Sequence, residues 1–153
     1  MGATERLADL GLSLPSMPTP AAAYQPFAGA HGVVLTAGQL PVVDGELPRT
    51  GKLGDELSTD EGAQLARIAA LNVLAVGAEA FGGLDAVRVV KLTVFVASDP
   101  AFTEQHLVAN GASELVGEVL GDQGVHARSA VGVAALPKDS PVEVEAHLVA
   151  ADA

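Results

Sequence analysis

The stretch from Ser58 to Ala97 limits the fold more than any other part of the chain, because a long helix pattern is followed directly by a long strand pattern. Ser58 and Glu61 have the spacing of a capping box, apolar residues then recur at helical intervals, and Gly82 is typical of a helix end. Residues 86–97, AVRVVKLTVFVA, predict a strand apolar enough to be buried on both faces. The chain therefore combines helices with a sheet.

The segments on either side extend this pattern. Residues 23–30 and 32–41 each predict a strand, and His31-Gly32 between them predicts a hairpin turn. Pro26 cannot donate a ladder hydrogen bond, so we expect the first strand at a sheet edge. Asp99-Pro100 is typical of a helix start and predicts that the second long helix begins there.

Two apolar segments close the chain, residues 125–137 and 141–149, and both predict strands. The order of elements is then β-β-α-β-α-β-β, which indicates an α+β fold with one mixed sheet and two helices on a single face. The other face of the sheet is left open, and we expect it to be apolar too. Because 49% of the residues are hydrophobic and only 18% are charged, we expect oligomerisation to cover that face.

Length and charge set limits on organisation and function. The 153 residues predict one domain, residues 21–153, preceded by an N-terminal extension over residues 1–20. A net charge of −11 argues against a general binder of nucleic acids or anionic membranes. No apolar run reaches the roughly 18 residues of a membrane span, and the charged start does not fit a signal peptide, so we expect a cytoplasmic protein. The sequence has no Cys, and its four His stand at no short ligand spacing, so we expect no metal.

Arg128 is the one charged side chain in the apolar segment 125–137. A structural interpretation is a strand-end arginine that is bridged to Glu143 or Glu145 on the neighbouring strand, or to another subunit. A functional interpretation is a receptor whose guanidinium binds a carboxylate through two hydrogen bonds. Glu143 and Glu145 share one face of their strand, and a carboxylate that is near an arginine but not paired with it can orient or activate a water molecule. The residues alone leave both interpretations open.

Several separated motifs resemble one known family. The order AAAY (21–24), TAGQLP (36–41), VVKLTVFV (89–96) and ARSAVGVAALPKDSPVEVEA (127–146) is similar to the Rid (YjgF-type) family of enamine/imine deaminases, whose older label is L-PSP endoribonuclease. The resemblance runs from about residue 20 to the C-terminus, and the longer N-terminus together with the segment VANGASELVGEVLGDQGVHARSAVGVAALP (108–137) is similar to a longer branch within the family.

The resemblance implies a chorismate-mutase-like fold and a homotrimer with a site in each of three clefts between subunits. It also implies hydrolysis of 2-aminoacrylate and related enamines or imines to a 2-keto acid and ammonia, with no cofactor and no nucleic-acid or membrane partner. Arg128 stands at the position of the arginine that binds the substrate carboxylate, and Glu143 at that of the glutamate that positions water. The substrate-binding positions implied are Tyr24, Gly38, Ala130 and Asn110.

Three residues depart from the family pattern. Gly132 stands where the archetypal deaminases usually carry Glu, Ala135 stands where they often carry a basic residue, and Ala130 stands where many members carry Cys. Because the first two changes remove side chains around Arg128, a second hypothesis is a non-catalytic trimer that binds small carboxylates such as 2-keto acids. Ribonuclease activity is a third hypothesis, which the acidic charge and the 3% aromatic content disfavour.

Overall fold

The structure, a computed structural model, describes residues 1–17 and 23–152. Two long helices and five strands follow one another in the predicted order, after a short N-terminal helix. They are α1 (Ala3–Asp9), β1 (Phe27–Ala30), β2 (Val33–Thr36), α2 (Thr59–Phe81), β3 (Val87–Ala97), α3 (Gln105–Leu120), β4 (Ala127–Val133) and β5 (Val142–Ala150). The segment predicted as an extension contributes α1, whose Ala3 and Leu7 are buried in the same core as the other helices.

The strands form a single mixed sheet in the order β1-β2-β5-β3-β4. The β3–β4 pair is parallel, because α3 carries the chain back to the start of the sheet, and the other pairs are antiparallel. This confirms the predicted α+β class, and β1 lies at an edge as Pro26 indicated. The expectation that β4 and β5 are neighbours is wrong, since β3 lies between them.

Helices α2 and α3 cover one face of the sheet. Val94 on β3 pairs with Val144 on β5, and both are fully buried beneath the helices. The opposite face carries alternate residues of the same strands, including Thr93 opposite Glu145 and Phe95 opposite Glu143. The prediction of β3 buried on both faces is therefore wrong for the single chain, and the open face is mixed in character instead of uniformly apolar.

The two long helices begin in different ways. Ser58 Oγ accepts a hydrogen bond from Glu61 N, and the Glu61 carboxylate accepts one from Ser58 N, which confirms the capping box of α2. The predicted start of α3 at Asp99 is wrong. Asp99 Oδ1 accepts from Ala101 N, so the Asp-Pro pair forms a turn, and the helix begins at Gln105.

Close contact between α2 and α3 explains a glycine in the middle of α3. A Cβ added to Gly111 would lie 1.9 Å from the carbonyl oxygen of Ala63 on α2. Only glycine allows the two backbones to approach this closely. Helix α2 is long and apolar enough to cross a membrane by length and composition, and half of its most apolar window is buried in this fold, as in the core helix of a globular domain.

Candidate active site: an arginine cluster and a glutamate cluster

Arg128 lies on the helix-covered face of the sheet, at its β4 edge, where it pairs with the buried Leu92 of β3. Its Nη1 donates to Asn110 Oδ1 at 2.9 Å and to Ser113 Oγ at 3.2 Å, and its Nη2 donates to the carbonyl oxygen of His106 at 3.1 Å. All three acceptors belong to α3. The helix therefore fixes the position of the guanidinium without neutralising it.

The positive charge of Arg128 has no carboxylate partner within residues 1–17 and 23–152, where the ion pairs involve other arginines. The interpretation of an arginine bridged to Glu143 or Glu145 of its own chain is therefore wrong. Three of the five N–H groups of the guanidinium are used, and no acceptor in the described part of the chain meets Nε. A partly exposed guanidinium with unused donors can bind a carboxylate.

A serine and a histidine extend the hydrogen-bond network of Arg128. Ser113 Oγ lies 2.9 Å from His126 Nε2, and His126 Nδ1 lies 2.6 Å from the carbonyl oxygen of Gly124. Sequence reasoning missed both side chains and treated the histidines as scattered. Two spacings were available as signals. Asn110 and Ser113 are three residues apart, which places both on one face of α3. His126 and Arg128 are two residues apart, which places both on one side of the extended segment that leads into β4.

Ala130 and Gly132 continue along β4 on the same face as Arg128, opposite Val94 and Val96 of β3. A Cβ added to Gly132 would lie 2.7 Å from Gln105 Nε2. The Gln105 carboxamide thus occupies the space beside this glycine. We call Arg128, Asn110, Ser113, His126 and Ala130 the arginine cluster.

Glu143 lies on the open face of the sheet and is half-buried against the loop that follows β2. A Cβ added to Gly38 would lie 1.9 Å from Glu143 Oε1, so the carboxylate rests directly on the glycine backbone. Gln39 N donates to Val144 O and Val144 N donates to Gln39 O, and this reciprocal pair holds the loop beside β5. We call Glu143 and Gly38 the glutamate cluster.

The electrostatic environment of Glu143 favours its neutral form. Burial raises the pKa of the Glu143 carboxyl, and the negative charge of Glu145 on the same face raises it further. No hydrogen-bond donor in the described part of the chain meets the carboxylate. A raised pKa and unused acceptor oxygens are typical of a group that accepts a proton from water.

Tyr24 is 58% exposed, just before β1. Pro26 O accepts from Ala37 N, so Tyr24 lies at the same end of the sheet as Gly38. Among the residues implied for the site, the structure thus brings Arg128 together with Asn110 and Ala130. It brings Glu143 together with Gly38 in a separate place.

The model of the endoribonuclease L-PSP family matches residues 15–150. The chain belongs to this family. The predicted YjgF-type resemblance is thereby confirmed at the level of the family, and the fold is the chorismate-mutase-like fold of its solved members, among them the E. coli YjgF protein.

Three relatives show how far the similarity extends. Protein TCP17 of Trypanosoma cruzi is 48% identical over 139 residues, which cover 90% of this chain and 87% of that protein. The crystal structure of Atu1372 from Agrobacterium tumefaciens, described as of unknown function, is 42% identical with a TM-score of 0.89, over 97% of this chain and 92% of that one. E. coli TdcF with bound serine is 27% identical with a TM-score of 0.62, over 86% of this chain and 91% of that one.

Proposed function

We propose that this protein hydrolyses reactive 2-imino and enamine acids, such as 2-aminoacrylate, to 2-keto acids and ammonia. The observation that carries the proposal is the guanidinium of Arg128, which three neutral acceptors on α3 hold in place, while among the described residues no carboxylate pairs with it and no acceptor meets Nε. An anion bound there gains two charge-assisted hydrogen bonds in a partly dry site. TdcF, a family member, binds serine, which also has a carboxylate.

The reaction needs little more than orientation. The substrate carboxylate binds Arg128, and a water molecule held by Glu143 attacks the imine carbon. Glu143 takes one proton from the water as the C–O bond forms and passes it to the nitrogen, and the remaining hydroxyl proton moves to the nitrogen as the C–N bond breaks, so ammonia and the keto acid leave and Glu143 is again a carboxylate. An enamine such as 2-aminoacrylate first becomes the imine, as its nitrogen loses one proton and its terminal carbon gains one. Because the imine is already electrophilic, placing water and charge correctly accounts for most of the acceleration.

The two clusters cannot act on one substrate within a single chain. Arg128 pairs with Leu92 and Glu143 pairs with Phe95, and these two β3 residues point to opposite faces of the sheet. We therefore propose that the site lies between two copies of the chain in a homotrimer. One copy supplies the arginine cluster and the next supplies the glutamate cluster.

The test generates 2-aminoacrylate in the assay and follows pyruvate formation above the rate in buffer. Arg128→Ala should remove most of the acceleration, and Arg128→Lys should also be poor, because an ammonium cannot reproduce the planar pair of donors. Arg67→Ala is the matched control, since Arg67 pairs with Glu118 on the helical surface. Wild-type protein that is no faster than buffer would reject the proposed activity.

A non-catalytic carboxylate binder is the second candidate, and the surroundings of Gly132 favour it. The neutral carboxamide of Gln105 fills the space beside this glycine, so no acidic group stands there. In that case 2-keto acids would stabilise the protein thermally through Arg128 while no imine turnover appeared. RNA cleavage that survived careful purification and disappeared in Arg128→Ala would instead support the activity in the family's older label.

A further inference from the structure

The imidazole of His126 has a defined hydrogen-bonding state. The carbonyl oxygen of Gly124 can only accept a hydrogen bond, so Nδ1, which lies 2.6 Å from it, carries a proton. Gly124 is buried against α3, where an added Cβ would lie 2.5 Å from the carbonyl oxygen of Val116. This packing fixes the acceptor and therefore fixes the ring. In the neutral ring Nε2 has a lone pair and accepts a hydrogen bond from the hydroxyl of Ser113, whose Oγ lies 2.9 Å away.

Ser113 connects this imidazole to the guanidinium. Its Oγ accepts from Arg128 Nη1 at 3.2 Å while its hydroxyl donates to His126 Nε2. If His126 gains a proton, Nε2 becomes a donor, and Ser113 Oγ then accepts from both sides. The hydroxyl of Ser113 must then donate its hydrogen bond to another acceptor, and a carboxylate bound to Arg128 provides one. Protonation thus adds one positive charge and frees one donor next to the bound anion.

We propose that His126 and Ser113 are positioning residues that make carboxylate binding at Arg128 depend on the protonation of His126. The inference rests on the carboxylate-binding half of the proposed function. A carboxylate bound to Arg128 brings a negative charge near the imidazole and an acceptor for the freed hydroxyl of Ser113. It should therefore bind more tightly when His126 is protonated, and by linkage its binding should take up a proton and strengthen as the pH falls.

Other ionisable groups lie on the elements that pack around His126. They are Arg128 on β4, His106, Glu114 and Glu118 on α3, and Asp122 in the turn before β4. Glu143 on the opposite face of the sheet also titrates, and a second copy of the chain would bring it near the bound anion. The experiment therefore includes a background in which Glu143 is replaced.

The experiment measures pyruvate binding to the full-length protein by titration calorimetry between pH 5.5 and 7.5, in two buffers with different ionisation enthalpies. We expect the wild-type affinity to rise roughly tenfold as the pH falls, with net proton uptake. His126→Gln keeps an acceptor for Ser113 but cannot titrate, so it should hold the affinity near its high-pH value. Ser113→Ala should weaken binding at every pH and reduce the dependence on pH. Glu143→Gln should keep the dependence.

His31→Asn is the matched histidine control, because His31 is exposed in the β1–β2 turn and has a φ of 53°, which asparagine tolerates. It should behave as the wild type. Nitrogen-15 NMR of the histidine rings of the unaltered protein needs no variant, and pyruvate should move the His126 signals towards the protonated form. Pyruvate binding that requires Arg128 but is unaffected by His126→Gln, or shows no proton uptake, would overturn this inference alone. Absence of pyruvate binding would overturn the carboxylate receptor as well.

Discussion

Arg128 and Glu143 lie on opposite faces of one sheet, two strands apart. Arg128 is level with the buried Leu92, and Glu143 is level with Phe95 on the open face. A guanidinium and a carboxylate that are separated by the sheet cannot neutralise each other in one chain. Among residues 1–17 and 23–152 both groups therefore keep unused hydrogen-bonding capacity, which a ligand can use.

The acidic limb of the pH profile, in which activity falls as the pH drops, should be set by the protonation of Glu143. Its carboxylate is the active form, and burial and Glu145 raise its pKa, so activity should fall as the pH drops through that raised value. Glu145→Gln removes one of the two causes and should move the limb to lower pH, whereas Glu79→Gln on the exposed side of α2 should not. A limb unmoved by Glu145→Gln would contradict this origin.

The raised pKa of Glu143 also predicts an effect on stability. Glu143→Gln should raise the free energy of unfolding at neutral pH, and this gain should disappear when the pH falls below the ordinary pKa of glutamate.

Gly38→Ala should displace the Glu143 carboxylate. The new Cβ would lie 1.9 Å from Oε1, and the carboxylate is the end of a flexible side chain, so it can swing away while the fold is kept. We expect activity to fall about as far as in Glu143→Ala, with an almost unchanged urea midpoint. The double variant Gly38→Ala/Glu143→Ala should be no worse than Glu143→Ala alone. Additive losses in the double variant would show that Gly38 acts independently of Glu143.

Two glycines of α3 should respond to alanine in opposite directions. At Gly111 the Cβ would meet the carbonyl oxygen of Ala63 at 1.9 Å, so the helices must separate, at a cost of about 1–3 kcal/mol. At Gly117 nothing lies within 4 Å of the new Cβ, so alanine should stabilise the helix by about 1 kcal/mol. Urea denaturation measures both. Equal effects would mean that contact with α2 does not determine the role of Gly111.

Charges on the two faces of the sheet should separate folding from assembly. Val94 is fully buried beneath the helices, so Val94→Asp should unfold the chain. Val131 is opposite Phe95 on the open face and is 40% exposed, so Val131→Asp should leave the monomer folded. Light scattering at micromolar protein should give a trimer for the wild type and a smaller mass for Val131→Asp, with unchanged circular dichroism. A trimer that survives Val131→Asp would show that assembly uses another surface.

Local patterns predicted the elements of this fold because each pattern has a local physical cause. The capping box at Ser58, the turn at His31-Gly32 and the edge position signalled by Pro26 all depend on residues near one another in the sequence. The prediction of a helix start at Asp99-Pro100 was wrong for the same reason. The pair suits a turn as well as a helix start, and only the packing of α3 decides which of the two forms.

The order of strands could not be predicted in the same way. Alternation shows which residues share a face of one strand, but it does not show which strands are neighbours. Placing β5 beside β4 suggested a bridge from Arg128 to Glu143 or Glu145 that the inserted β3 excludes. The roles of Ser113 and His126 depend on how α3 lies over β4, which no spacing within either segment determines.

Mixing two inactive variants tests most directly whether one site draws on two copies of the chain. Arg128→Ala keeps Glu143, and Glu143→Ala keeps Arg128, so an interface between the two variants can contain one complete site. After denaturation and refolding together in equal amounts, random assembly should restore about a quarter of the wild-type rate of pyruvate formation from 2-aminoacrylate, while each variant alone stays inactive. Mixed assemblies that are verified by native mass spectrometry and remain inactive would contradict a site shared between copies.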